Sequence, residues 1–94
     1  MITYKVFSRD GKGNVFSDEY ICEVEIDKKD DEFNQLIRRI FKFKFFDKIR
    51  LEIHYNLDNL TESVHVYKVR FGKCRQVGYL WRKLEDELVK SEVC

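Results

Sequence analysis

Proline is missing from all 94 residues of this chain. With it goes the usual punctuation of a linker, and no composition shift marks a domain boundary. Cysteine is scarce: Cys22, Cys74 and Cys94 are an odd set without metal-ligand spacing. That argues against a disulfide scaffold and for a reducing compartment, with all three expected as free thiols. No stretch approaches the roughly eighteen apolar residues of a membrane span. Met1-Ile2-Thr3-Tyr4-Lys5 has no basic region followed by an apolar run, so the expected location is cytoplasmic. An excess of charge is missing as well, since 18 Lys and Arg stand against 17 Asp and Glu and leave a net of +1. No global field selects nucleic acid or a membrane, and an electrostatic partner has to be chosen by a local patch. The acids are scattered, without the paired spacing of a general acid and base. With no catalytic constellation, no cofactor loop and no metal spacing, the expectation is a protein that is not an enzyme and carries no cofactor.

What the chain does have is apolar material, 44% of residues, with eight Phe and five Tyr. That suffices to offset chain entropy in one compact domain over residues 1–94. Ile2 to Ser8 reads as a strand, Arg9 to Asn14 as a tight connection and Val15 to Ile26 as a second strand with an acidic outward face of Glu19, Glu23 and Glu25. Asp27 to Glu32 supplies a capped, acidic helix start. A helix is expected from Asp30 to Phe43, ending before Lys44, with Phe33, Leu36, Ile37, Ile40 and Phe41 as its buried stripe.

Arg50 to Leu57 alternates cleanly, with Leu51, Ile53, Tyr55 and Leu57 on one face. It faces Ser63 to Phe71 across the turn Asp58 to Glu62. The second stretch changes phase midway, which a bulge at Val66 and Tyr67 opposite Ile53 would explain; His54 would then meet His65 and Glu52 would meet Lys68. Finally Val77, Leu80, Trp81, Leu84 and Leu88 make a helical stripe over Arg75 to Lys90.

The expected fold class is therefore α+β, a ββαββα two-layer sandwich whose four-stranded antiparallel or mixed sheet carries two helices on one face. Over residues 2–71 the element order resembles that of the β-grasp fold. The resemblance implies that the first and fourth strands lie parallel in the middle, with the second and third as edges. Two packed ββα units over residues 2–43 and 49–91 are the rival arrangement.

Candidate sites follow from local patterns. The segment Arg38 to Arg50 holds six basic residues, Arg38, Arg39, Lys42, Lys44, Lys48 and Arg50, against Asp47, with Phe41, Phe43, Phe45 and Phe46 between them. Cations with interleaved rings suit a nucleic-acid groove or an anionic surface, although a solvated helix face over core phenylalanines has the same composition. Lys68 and Arg70 are expected to join that patch from the second hairpin. His54 and His65 share a face in the bulged register with Glu52 nearby, but the surrounding Lys68 and Arg70 do not favour a metal. Cys74, between Lys73 and Arg75 at the expected helix start, lacks an assignable base and reads as incidental. Tyr79 is expected to project from the last helix as an exposed anchor. The open sheet face is expected to show Phe7 as its only obvious ring, which counts against base stacking there.

The leading expectation is non-enzymatic binding of a partner protein, in the manner of small inhibitor modules such as phage or mobile-element accessory proteins. The contact set would draw on Arg38, Arg39, Lys42, Lys48, Arg50, His54, His65, Lys68, Arg70 and Tyr79. The alternative is nucleic-acid binding through segment 38–50.

Overall fold

A computed structural model describes residues 2–9, 18–27 and 31–84. Strands β1 (Ile2–Ser8) and β2 (Glu19–Ile26) are followed by helix α1 (Asp31–Ile40) and by β3 (Lys48–Asn56), β4 (Thr61–Arg70) and β5 (Lys73–Lys83). All five strands form one antiparallel sheet in the order β2-β1-β5-β4-β3. The four-stranded sheet with two helices is thus corrected to five strands with one helix among the described residues. The β-grasp arrangement fails with it, because β5 lies between β1 and β4 and turns both contacts antiparallel. β2 and β3 are the edges.

Val77, Leu80, Trp81 and Leu84 fit a 3.6-residue period, yet Lys73–Lys83 is a strand. Gly78 is the contrary signal, costing roughly 1 kcal/mol inside a helix. Its neighbours Val77, Tyr79 and Trp81 favour a pleated surface, and pairing to two flanking strands decides the outcome. Gly78 is also sterically required: a Cβ there would lie 2.3 Å from the Phe7 carbonyl oxygen and 2.5 Å from Phe41 Cε1. The expected connection from residue 10 on, the start of the second strand at 15–17, the helix start at 28–30, and Leu88 and Cys94 lie outside the described residues.

One face of the sheet is covered by α1. Tyr4, Val6, Ile26, Val64, Val66 and Leu80 from four strands meet Phe33 and Ile37 of the helix in a buried core. Each such side chain contributes about 1.5–3 kcal/mol. Leu36, Ile40 and Phe41 pack at its margin. The expected stripe is therefore in place, but the helix stops at Ile40, earlier than Phe43. Lys42 N donates to Arg39 O and Phe43 N to Arg38 O, and Lys42 takes φ 55°, which together make a Schellman ending.

Glu62 belongs to β4 rather than to the turn. It is fully buried, accepts a hydrogen bond of 2.5 Å from Arg82 Nε and one of 3.3 Å from Tyr4 Oη. The pair gives β5 a polar tie into the apolar layer. No helix among the described residues is long and apolar enough to cross a membrane.

The β3–β4 ladder runs without interruption from Lys48 opposite Val69 to Asn56 opposite Thr61. The expected bulge opposite Ile53 is absent. The irregularity at Val66 and Tyr67 falls instead on the β5 side, where Val77 is the extra residue between Gln76 and Gly78. Val64 and Val66 face the helix in this register, and so do Lys68 and Arg70. The phase change in β4 marks where the helix stops covering that face.

Candidate functional site

Beyond the end of α1 the chain makes a tight turn, Lys44 to Asp47, in which Asp47 N donates to Lys44 O and Lys44 N donates to Asp47 Oδ2 at 2.7 Å. The turn presents Phe45, 97% exposed, and Phe46, 41% exposed, to solvent. Asp47 itself is buried, at 2% exposure. Both its carboxylate oxygens accept from Arg70, Nε at 2.7 Å and Nη2 at 2.8 Å, and Arg38 Nη2 donates to its backbone carbonyl at 3.1 Å. These Arg70 hydrogen bonds hold the Asp47 carboxyl well below the ordinary carboxylate range, against the opposing effect of burial. One residue thus locks the phenylalanine turn to α1 and to the tip of the β4–β5 hairpin.

That tip is a two-residue turn, Phe71-Gly72, with φ of 50° and 80°. Positive φ at both positions is the geometry of a type I′ hairpin turn, usually filled by Asn-Gly. A bulky ring at the first position costs about 1–2 kcal/mol of backbone strain. Phe71 nevertheless stands there 85% exposed, its ring stacked on Phe46 at 5.3 Å and 15°. Phe45 meets Phe46 edge to face at 5.2 Å, so three rings form an exposed cluster.

Cations surround it. Lys68 pairs with Arg75 and Arg70 with Lys73 across the β4–β5 ladder, which puts four positive side chains on two adjacent rungs of one face. Like charges directly opposite each other oppose pairing by about 0.2–1 kcal/mol. Asp47 neutralises only Arg70; among the described residues no acid is in an ion pair with Lys68, Lys73 or Arg75. Lys68 Nζ donates to Phe41 O at 3.3 Å and lies 4.8 Å from the Phe43 ring centroid. Its pKa is lowered by burial first, with Arg70, Arg75 and Lys44 adding repulsion and Asp47 opposing it. Lys68, Arg70, Phe71, Lys73 and Arg75 line a cavity of about 300 Å³.

The other face of the sheet is not as expected. With β5 as a strand, Tyr79 and Trp81 join Phe7, and a row of rings crosses all five strands. Tyr20 packs on Phe7 at 5.7 Å, Phe7 stacks on Tyr79 at 5.0 Å, and His65 follows at 6.0 Å from Tyr79 and His54 at 4.6 Å from His65. Lys5 sits 5.8 Å from the Trp81 ring and Arg9 5.3 Å from Tyr79. The argument against base stacking on this face therefore falls. Tyr79 donates to Asp18 Oδ2 at 3.0 Å, and burial with that bond pushes its pKa up to about 12. Gln76 accepts from Arg9 Nη1 at 2.9 Å, and its Nε2 faces His65 Nδ1 at 2.9 Å. Nδ1 must accept there, so the neutral ring is favoured. The His65 pKa is lowered accordingly, by burial first and then by His54 and Arg9.

The expected contact residues divide between the two faces. Lys68 and Arg70 converge on the hairpin tip with Lys44, Phe45 and Phe46. Arg38 is half-buried, 5.6 Å from the Phe43 ring, and serves Asp47; Arg39, Lys42 and Lys48 are exposed. Arg50 is on the open face, bonded to Glu52 Oε1 at 3.4 Å and 6.0 Å from the Tyr67 ring. His54 and His65 do meet, diagonally rather than directly across, because Glu52 pairs with His65 and His54 with Ser63. No group of three or more His, Cys, Asp or Glu among the described residues could hold a metal ion. Tyr79 is a half-buried member of a central strand, not a free anchor on a helix. Cys74 is exposed within β5, away from any helix start, while Cys22 is partly buried against the core; both are free.

Phe71, Lys73 and Arg75 were missed. The available signal was the dipeptide Phe71-Gly72 between two alternating runs, a hairpin mark once Lys73 to Lys83 is read with period 2. No family model matches the chain, and neither curated proteins nor solved structures give a significant match.

Proposed function

We propose that this protein binds single-stranded nucleic acid through its basic, aromatic end. The observation that carries the reading is the exposed cluster of Phe45, Phe46 and Phe71 beside Lys68, Arg70, Lys73 and Arg75. Cations meet phosphates independently of sequence, and rings stack on bases whose faces are free only when the strand is unpaired. Phe71 supports the reading because an exposed ring in a strained turn is costly to the fold and gives it little in return. The rings of the open face offer a second stacking platform of the kind sheet-based RNA binders use.

Fluorescence anisotropy with labelled single- and double-stranded oligonucleotides, at low and near-physiological salt, tests this. The expected result is tighter binding of single strands that weakens steeply with salt. Lys73→Gln with Arg75→Gln should weaken binding and flatten the salt slope, and Phe71→Asn should weaken binding with little change in slope. No binding of any strand at low salt overturns the proposal.

A protein partner is the second reading, favoured by edge strand β3. Ile53 and Tyr55, with Leu57 just beyond, are exposed at the sheet edge, where an extended segment could add a strand. It predicts affinity that is weakly dependent on salt and is lost on substituting Ile53 or Tyr55.

A further inference from the structure

The cavity at the hairpin tip holds more positive charge than a passing phosphodiester would balance. Lys68, Arg70, Lys73 and Arg75 bring four cations, and Asp47 removes one. They do not trail along a groove but face one another on successive rungs of one face, Lys68 opposite Arg75 and Arg70 opposite Lys73, with the Val69–Cys74 rung between them on the other face. A volume of about 300 Å³ is at the small end for ligand pockets and suits one end group with its base rather than a length of strand. Phe71 forms the wall on the solvent side, with its ring available on top of Phe46. Asp47 is fully engaged by Arg70 and the Lys44 amide, so it does not repel an incoming anion from within the cavity.

We infer that this cavity binds a terminal phosphomonoester of a nucleic-acid strand, its oxygens held by Lys68, Arg70, Lys73 and Arg75 and its terminal base stacked on Phe71. The inference rests on the nucleic-acid reading above and adds the end group as the preferred ligand. A monoester carries nearly two charges at neutral pH where a diester carries one. It therefore relieves the repulsion within the quartet more completely, and Arg70 stays paired to Asp47 as it does so. Lys68, crowded by Arg70, Arg75 and Lys44 and opposed only by the Asp47 carboxylate that Arg70 already engages, gains a second counter-charge.

The test compares one oligonucleotide sequence bearing phosphate at the 5′ end, at the 3′ end or at neither, with AMP and inorganic phosphate as competitors. The expected result is that one phosphorylated form binds about tenfold tighter than the unphosphorylated one, the gain of one added charge-assisted hydrogen bond. That advantage should shrink from pH 7.5 to pH 5.5, as the phosphate passes its second pKa near 6 and loses a charge. Lys73→Gln with Arg75→Gln should abolish the advantage at equal or higher thermal stability, because both side chains are exposed and each is removed from a like-charge pair. Competition by AMP but not by phosphorylated strand would assign the pocket to free nucleotides and overturn the inference. Equal, salt-sensitive affinity for all three strands would also overturn it while leaving nucleic-acid binding intact. No binding of any strand removes both.

Discussion

At the scale of single residues, Phe71 separates what suits the fold from what suits a ligand. Asparagine is the natural occupant of its turn position, and removing the backbone strain should gain about 1–2 kcal/mol. Loss of the stack on Phe46 gives back about 0.5–1.5 kcal/mol. Phe71→Asn is therefore expected to be at least as stable as the parent in urea unfolding while binding oligonucleotides more weakly. A clear loss of stability would mean that the ring belongs to the core economy of the hairpin. His65 makes a second residue-scale prediction. Its folded pKa is lowered from the ordinary histidine value of about 6.5, so the unfolded chain takes up the proton first as pH falls. Its contribution leaves stability unchanged above about pH 6.5 and erodes it below that. His65→Gln should flatten the decline of the unfolding midpoint between pH 6.5 and 5, with His54, Arg9, Glu52 and Asp18 as the charged neighbours that remain. None of this was legible in the sequence, because the donor chain from Arg9 through Gln76 to His65 joins the residue after β1 to β5 and β4. The cations Lys68 and Arg70, by contrast, were legible from the second hairpin, whose local alternation puts both on one face.

At the scale of elements, Asp47 joins three of them: the turn after α1, the helix through Arg38 and the hairpin through Arg70. A carboxyl held below its ordinary pKa contributes stability that is present above the unfolded value and lost as pH falls through the folded one. The acid unfolding limb of the parent should therefore begin below about pH 4. Asp47→Asn should be less stable at neutral pH and lack part of that limb, measured by denaturant midpoints from pH 7 to 2. Equal midpoints across that range would show that the turn holds without the carboxylate. The helix α1 and the hairpins β1–β2 and β3–β4 were readable because their apolar periods are local. β5 was not, since its period is ambiguous and its partners, β1 and β4, are supplied by distant parts of the chain. The hairpin tip was lost with β5, and the aromatic open face with it.

At the scale of the whole molecule, the buried Glu62 and Arg82 pair stands out in an otherwise apolar layer. Removing one partner of a buried ion pair costs about 3–5 kcal/mol. Arg82→Met alone is expected to lower stability by that order in urea denaturation, whereas Glu62→Leu with Arg82→Met should recover most of it. If the double variant is as unstable as the single one, packing rather than charge is what the pair supplies. The sheet also has two contrasting edges, β2 lined by Glu19, Glu23 and Glu25 and β3 with Lys48 and Arg50. Charge on both limits edge-to-edge association of copies.

The position of β5, described last along the chain yet central in the sheet, bears on how the protein is made. Synthesis delivers β1 with β2, then α1, then β3 with β4, and until β5 follows these are two hairpins with nothing between them. The inner sides of β1 and β4 are then open edges, and Val6, Val64 and Val66 lack the Leu80 that completes their layer. Folding must therefore wait for a strand some seventy residues away from its β1 partner, Lys5 with Trp81 for instance. Such non-local closure is slow and leaves aggregation-prone intermediates. A ribosome stalled before Lys73 would hold a chain that has both hairpins and no native sheet.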